Sequence, residues 1–324
     1  MTQLDTQYVQ QEPDPTRDTS IADGHIPRRR GRVVLFGVLG GFLLTVGWSA
    51  SFVDSVIGDS VANTVLGHDA KQTAIAGVGS GIVFAFVSGL AGTFTACNIA
   101  VFGTVAPLIG GVGGRWHRVR AVLAPLLWLA AGMVVVSAAY GVVVGLVGTG
   151  MPQFDTAPSA PGELSSRSVQ SMAVFGVVGL TMTYLGLASL GLVRDPFARL
   201  GARLPHARLV FFGALIGGFL IGRPFPLFRK LFRDAAEEHN PLYGAAAFVL
   251  QSLGNILVLA VLLLLTALLA GERTRRWLTA APARLTVLSA SALLVAGVFT
   301  FLYWDVRLLA MREIIPWFPL APWV

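Results

Sequence analysis

The stretch TFTACNIAVFGTVAPL, from Thr93 to Leu108, lies inside a long apolar run and holds the only cysteine of the chain. Cys97 stands there beside an amide, Asn98, and close to two hydroxyls, Thr93 and Thr95. A thiol can exchange with a disulfide through a mixed intermediate. On its own, a cysteine in such a run is more often a small buried apolar side chain. A second stretch, GRPFP from Gly222 to Pro226, puts a guanidinium, Arg223, into another apolar run. Pro224 and Pro226 have no backbone donor, so they leave carbonyls upstream without helical partners. A charge near the bilayer centre costs about 2.5–3.5 kcal/mol on insertion scales, so Arg223 faces a cavity, meets a partner or snorkels to the interface. The chemistry open to it is contact with an anion, a thiolate or a carboxylate. Gln251 and Asn255 are four residues apart and share one helix face, with Ser252 and Gly254 leaving room beside them. They read as a polar seam facing a bundle interior, or as interhelical hydrogen bonds that serve packing. Together Thr93, Thr95, Cys97, Asn98, Arg223, Pro224, Pro226, Gln251 and Asn255 form the candidate path for a solute. Thr181, Thr183 and Tyr184 make a weaker set, and Asp305 follows Tyr303 and Trp304 where an interfacial aromatic belt is expected.

The elements that carry these residues must be membrane helices. The chain is 54% hydrophobic and 13% charged, with a mean hydropathy of +0.70. Several stretches run about 18 residues or more without a charge, enough to cross roughly 30 Å of hydrocarbon, and they do not alternate as barrel strands do. The expected class is an all-α polytopic membrane protein whose first partner is the lipid bilayer. Seven spans are expected: 33–53, 73–110, 121–147, 170–193, 209–228, 244–270 and 285–304. Residues 1–32 read as a disordered cytoplasmic tail ending in the basic cluster Arg28–Arg32, and 308–324 as a short external tail. The net charge of +7 comes from arginines in short loops, which set orientation and do not call for nucleic acid. The five histidines fall in tails or loops and no CxxC pair exists, so no metal, haem or other cofactor is expected. No catalytic residue is assigned, and no nucleotide-binding motif is present.

The second and fifth spans carry similar punctuation. GLAGTFTACNIAVF (Gly89–Phe102) can be laid over GALIGGFLIGRPFPLF (Gly213–Phe228), with Cys97 facing Arg223 and Asn98 facing Pro224. Gly132 then matches Gly254, and GLTMTYLGL from Gly179 matches GVFTFLYWD from Gly297. This makes residues 73–193 and 209–307 two three-helix repeats behind an extra N-terminal helix at 33–53. An odd number of spans per repeat inverts the second copy, and broken helices at matching positions mark a binding site between the copies.

With two inverted three-span units, each opening on a Gly/Pro-broken helix, the chain from about Thr73 to Arg307 resembles the CcdA/DsbD transmembrane family. That family is the cytochrome c biogenesis transmembrane region, related to the LysE-type exporters. The resemblance implies a carrier of reducing equivalents in which a proline-flanked cysteine on each broken helix forms a reversible disulfide. TACNIAVFGTVAPL stands where the first such motif would be, and IGRPFPLF where the second would be. The second cysteine is absent here, Arg223 or a neighbour taking its place, and one thiol cannot store two electrons as an internal disulfide. The function expected is therefore transport of a small solute or ion, favouring an anionic or thiol-bearing one, by alternating access. The alternative is a redox or cytochrome c maturation component that works through Cys97 with a thioredoxin-like or cytochrome-assembly partner.

The loops Gly114–Arg120, Arg194–Arg208 and Gly271–Arg276 are basic, whereas 54–72 and 150–168 hold one basic residue each. This charge alternation predicts a bacterial-type cytoplasmic membrane protein with its N-terminus cytoplasmic and its C-terminus external. A reporter active only in the cytoplasm should be silent when fused after Val324 and active when inserted after Gly271. A cytoplasmic C-terminus would show that the span count is wrong by one.

Overall fold

The computed structural model describes residues 27, 29–93, 115–155, 161–201, 203–223, 225–281 and 283–323. Among them every regular element is helical. Helix α1 is Arg30–Gly47, and a π-helical turn at Val53–Gly58 leads into α2, Asp59–Leu66. Then come α3 (Gly77–Ala91), α4 (Arg115–Val147), α5 (Ser166–Ser189) and α6 (Ala207–Gly222). Last are α7 (Pro226–Glu237), α8 (Pro241–Thr279) and α9 (Ala283–Phe301), the last continued by a π turn, Leu302–Val306, and a final turn, Arg307–Met311.

Among the described residues, five stretches are long and apolar enough to cross a membrane: Arg30–Gly47, Val119–Gly150, Ser166–Ser189, Pro241–Leu269 and Ala283–Met311. The pair α6 and α7 makes a sixth if it counts as one span, but it is bent by 83°. Large apolar side chains such as Phe36, Leu43, Leu127, Val135, Val177 and Leu269 stand exposed along these helices. So much exposed apolar surface suits lipid, and the chain is a helical protein of multi-pass membrane type.

Of the run expected over 73–110, the described part, up to Thr93, holds α3, whose 15 residues make about 22 Å; residues 94–114 lie outside the described residues. One expected span takes a different form. The span expected to reach Phe228 stops at Gly222, because Pro224 and Pro226 cannot donate to the α6 carbonyls. The charged segment after it, which reads in sequence as an amphipathic or interfacial piece, is the amphipathic helix α7. Its residues Leu227, Phe228, Leu231, Phe232, Ala235 and Ala236 are buried in the bundle, not laid against lipid. Phe228 packs 5.6 Å from Phe248 and Phe232 6.4 Å from Tyr140, ring centre to ring centre.

The helices pack in a row: α3 on α8, α8 on α4, and α4 on α6. The pair α5 and α9 joins at the α6 side, and α1 lies against α9. Glycines set the closest crossings. A Cβ at Gly89 would lie 1.9 Å from the Gln251 carbonyl oxygen, and one at Gly254 would lie 2.2 Å from that of Phe86. At the α4–α6 crossing a Cβ on Gly132 would lie 1.9 Å from the Val210 oxygen, and one on Gly213 would lie 1.8 Å from the Leu129 oxygen. Gly179 and Gly297 face each other across α5 and α9, each 2.7–2.8 Å from the other's carbonyl by the same measure. Backbones this close gain dispersion contacts that any side chain would abolish.

The loops sort into two ends. At one end Arg30 reaches the Gly191 carbonyl at 3.3 Å, beside the arginine-bearing segment 194–208. At the other, Lys230 bonds the Ala70 carbonyl at 2.7 Å, and the Trp323 indole bonds that of Gly47 at 3.1 Å.

Gly213→Ala and Gly89→Ala should each lower the thermal midpoint of the detergent-solubilised protein by several degrees, since overpacking costs about 1–3 kcal/mol or more. Gly79→Ala and Gly218→Ala, where a Cβ meets nothing within 4 Å, should be neutral or slightly stabilising. Equal effects at all four positions would refute the close crossings.

Candidate functional site

The site begins with carbonyls that α6 cannot satisfy itself. Pro226 has no N–H for the Gly222 carbonyl, and the chain leaves the helix before Phe225 could serve Ile221. Side chains from elsewhere take over. Ser171 Oγ donates to the Gly222 oxygen at 2.6 Å, and Gln170 Nε2 donates to the Ile221 oxygen at 3.0 Å. Gln153 Nε2 donates to the same Ile221 oxygen. Ser171 and Gln153 are buried. These polar groups at the start of α5 and in the loop before it make a cradle for the break.

Arg223 follows the last turn of α6, half-buried and with extended backbone. Its Cζ lies 4.9 Å from the Phe225 ring centre. Its guanidinium rests on Gly92, where a Cβ would come within 2.6 Å of Nη1. The charge thus sits where α3 and α6 both end, and the partial negative charge of helix C-termini offsets its cost there. The π turn and α2 cover the same break: Gly58 packs on the Phe225 ring, 3.0 Å from where its Cβ would be. Burial raises the Asp54 carboxyl above its ordinary range, and the Arg223 charge opposes that shift. An acidic group of the cover therefore lies in the field of the arginine.

Beneath the break is a small cavity lined by Gly89, Ile216, Phe219, Leu220, Arg223, Gln251, Ser252 and Asn255. Its volume of about 20 Å³ is the size of one water or a small ion. Gln251 is 3% exposed, and its Oε1 has no partner among the described residues. Thr93 Oγ1 lies 2.9 Å from the Leu90 carbonyl and 3.2 Å from that of Asn255, which ties the end of α3 to α8. Ser137 and Ser252 share a hydroxyl hydrogen bond of 2.6 Å between α4 and α8.

The structure thus gathers Thr93, Arg223, Gln251 and Asn255 around one place. Pro226 is apart from them: it opens α7 and lines a different groove. Thr95, Cys97, Asn98 and Pro224 lie outside the described residues. Thr183 bonds its own helix at the Gly179 carbonyl, 2.9 Å away, and exposed Tyr184 bonds the Arg194 carbonyl at 2.8 Å. Asp305 lies in the π turn after α9, facing Gly176. Sequence reasoning missed Gln153, Gln170 and Ser171. Each reads as an ordinary polar residue of a loop or a helix start, and only the bare carbonyls after Leu220 hinted that distant donors were needed.

No protein-family model, no curated protein and no solved structure matches the chain.

Ser171→Ala should leave the buried Gly222 carbonyl short of a donor, at about 1–3 kcal/mol, whereas Gln170→Leu should cost less, since Gln153 still serves the Ile221 carbonyl. Ser171→Ala should unfold several degrees below the parent in detergent, whereas Ser166→Ala, on the exposed first turn of α5, should not. An unchanged midpoint in Ser171→Ala would show that the break does not depend on this donor.

Proposed function

We propose that the protein is a transporter of a small anionic solute or ion, working by alternating access between two inverted three-helix repeats in a bacterial-type cytoplasmic membrane. The observation that carries this reading is the cavity at the helix breaks, where Arg223 meets the buried amide of Gln251 and the neighbouring Asn255. An ionisable group and unpaired amide oxygen inside an apolar bundle are costly, and function is the usual reason to keep them. Reciprocal glycine crossings favour the repeat. The Gly89–Gln251 contact of α3 on α8 has its counterpart in the Gly213–Leu129 contact of α6 on α4. Gly132 and Gly254, matched in the overlay, lie opposite those two glycines, and Gly179 meets its own match, Gly297. Such an arrangement is expected if 73–193 and 209–307 are related by a two-fold axis between α4 and α8. The position of α5, packed on α6 with α9 on its far side, departs from that symmetry. In this reading, the segment from the π turn at Val53 through α2 is an external cover, with Asp54 opposite Arg223.

Arg223→Lys and Arg223→Leu should both reach the membrane at parental levels, since each keeps or lowers the insertion cost. Both should lose flux of small inorganic and carboxylate anions in proteoliposomes, because an ammonium cannot reproduce the paired bonds of the planar fork. Cys97→Ser should keep that flux. Full activity in the Lys variant would remove Arg223 from the solute path. Loss of activity in Cys97→Ser would favour the thiol-relay reading with a thioredoxin-like partner.

A further inference from the structure

On the other side of α7 from the bundle core lies an open groove of about 580 Å³. Its walls are α7 and the segment 71–75, and its charged residues are Lys71, Arg229, Lys230, Arg233, Asp234 and Glu237. Two of the cations build the wall. Lys71 pairs with Asp59 at 2.5 Å, and Lys230 bonds the Ala70 carbonyl at 2.7 Å and that of Thr73. The segment itself is held by Asp69, whose Oδ1 accepts from the amides of Lys71 and Gln72 at 2.9 and 3.1 Å. Asp234 is taken up by the Tyr243 hydroxyl.

Arg229 and Arg233 are left facing the groove. They are four residues apart on one helix face, so their like charges repel. Arg167, from the start of α5, adds a third positive charge beside Arg229. Among the described residues, neither Arg229 nor Arg233 is in an ion pair. Arg233 Nε is buried with no hydrogen-bond partner, while its Cζ stands 5.8 Å from the Phe154 ring centre. The helix cannot turn to relieve this, because Phe228, Leu231 and Phe232 on its other face are locked in the core. Two guanidinium forks on a fixed helix, in a groove where four cations meet two carboxylates, Asp234 and Glu237, match the tetrahedral oxygens of a phosphate group.

We propose that this groove binds a phosphate-bearing anion, held by Arg229 and Arg233 with Lys71 and Lys230 at its edge. The phosphate belongs either to a membrane lipid headgroup or to a free phosphate; the chemistry of capture is the same. The site is distinct from the Arg223 cavity and does not depend on the transport reading.

The test uses the full chain purified in a neutral detergent and stripped of lipid. It is titrated separately with inorganic phosphate and with phosphatidylglycerol, and binding is read by native mass spectrometry and by the rise in thermal midpoint. Binding of phosphatidylglycerol alone identifies a headgroup site, and binding of phosphate identifies a free-anion site. In either case Arg229→Gln with Arg233→Gln should weaken binding about tenfold or more, since each removes charge-assisted bonds. Arg229→Lys, which keeps the charge and the fold, should still weaken it. Arg312→Gln, outside the groove, should not. Binding of neither ligand, or binding that Arg229→Lys and the double variant leave unchanged, would overturn the proposal.

Discussion

One constraint organises this structure: a backbone interrupted inside an apolar bundle must find hydrogen-bond donors from outside its own helix. α6 ends at Gly222 because Pro224 and Pro226 supply no donors to its last turn, and the carbonyls of Ile221 and Gly222 are met by Gln153, Gln170 and Ser171. The consequences spread outwards. The start of α5 is fixed against the end of α6. The chain can then turn through 83° and lay α7 over the bundle. Arg223 is held at the corner, beside the end of α3.

Close backbone packing allows that corner to exist. Where Gly89, Gly132, Gly213 and Gly254 meet carbonyls of the facing helix, α3, α8, α4 and α6 approach with no side chains between them. Lipid supplies no hydrophobic drive for helices to associate, so dispersion between close backbones does most of that work. A row packed so tightly leaves little internal space. One small cavity among the described residues is bounded by Gly89 on one side and by Gln251 and Asn255 on the other, the same place where α3 crosses α8.

Electrostatics divide the molecule at α7. On the inner side, Arg223 lies at two helix C-termini with Asp54 of the cover in its field. On the outer side, Arg229 and Arg233 face an open groove with few carboxylates to balance them. A single amphipathic helix separates the two charged regions by a layer of Phe and Leu, so each can be perturbed without the other.

The amino-acid sequence determined the class of the protein through hydropathy alone: long uncharged runs can only be stable as helices in lipid. It also marked α6 as broken, since Pro224 and Pro226 remove donors whatever the surroundings. The shared face of Gln251 and Asn255 came from their spacing of four. What hydropathy could not separate was a helix buried in protein from one facing lipid, so the amphipathic pattern of α7 does not say which way its apolar face turns. Only the tertiary structure decided that the apolar face of α7 turns inward. The same holds for the partners of the broken carbonyls, because Gln153, Gln170 and Ser171 are about 50 to 70 residues away from Ile221 and Gly222. Contacts over that distance depend on how helices cross, and the crossings depend on glycines whose partners no local pattern names.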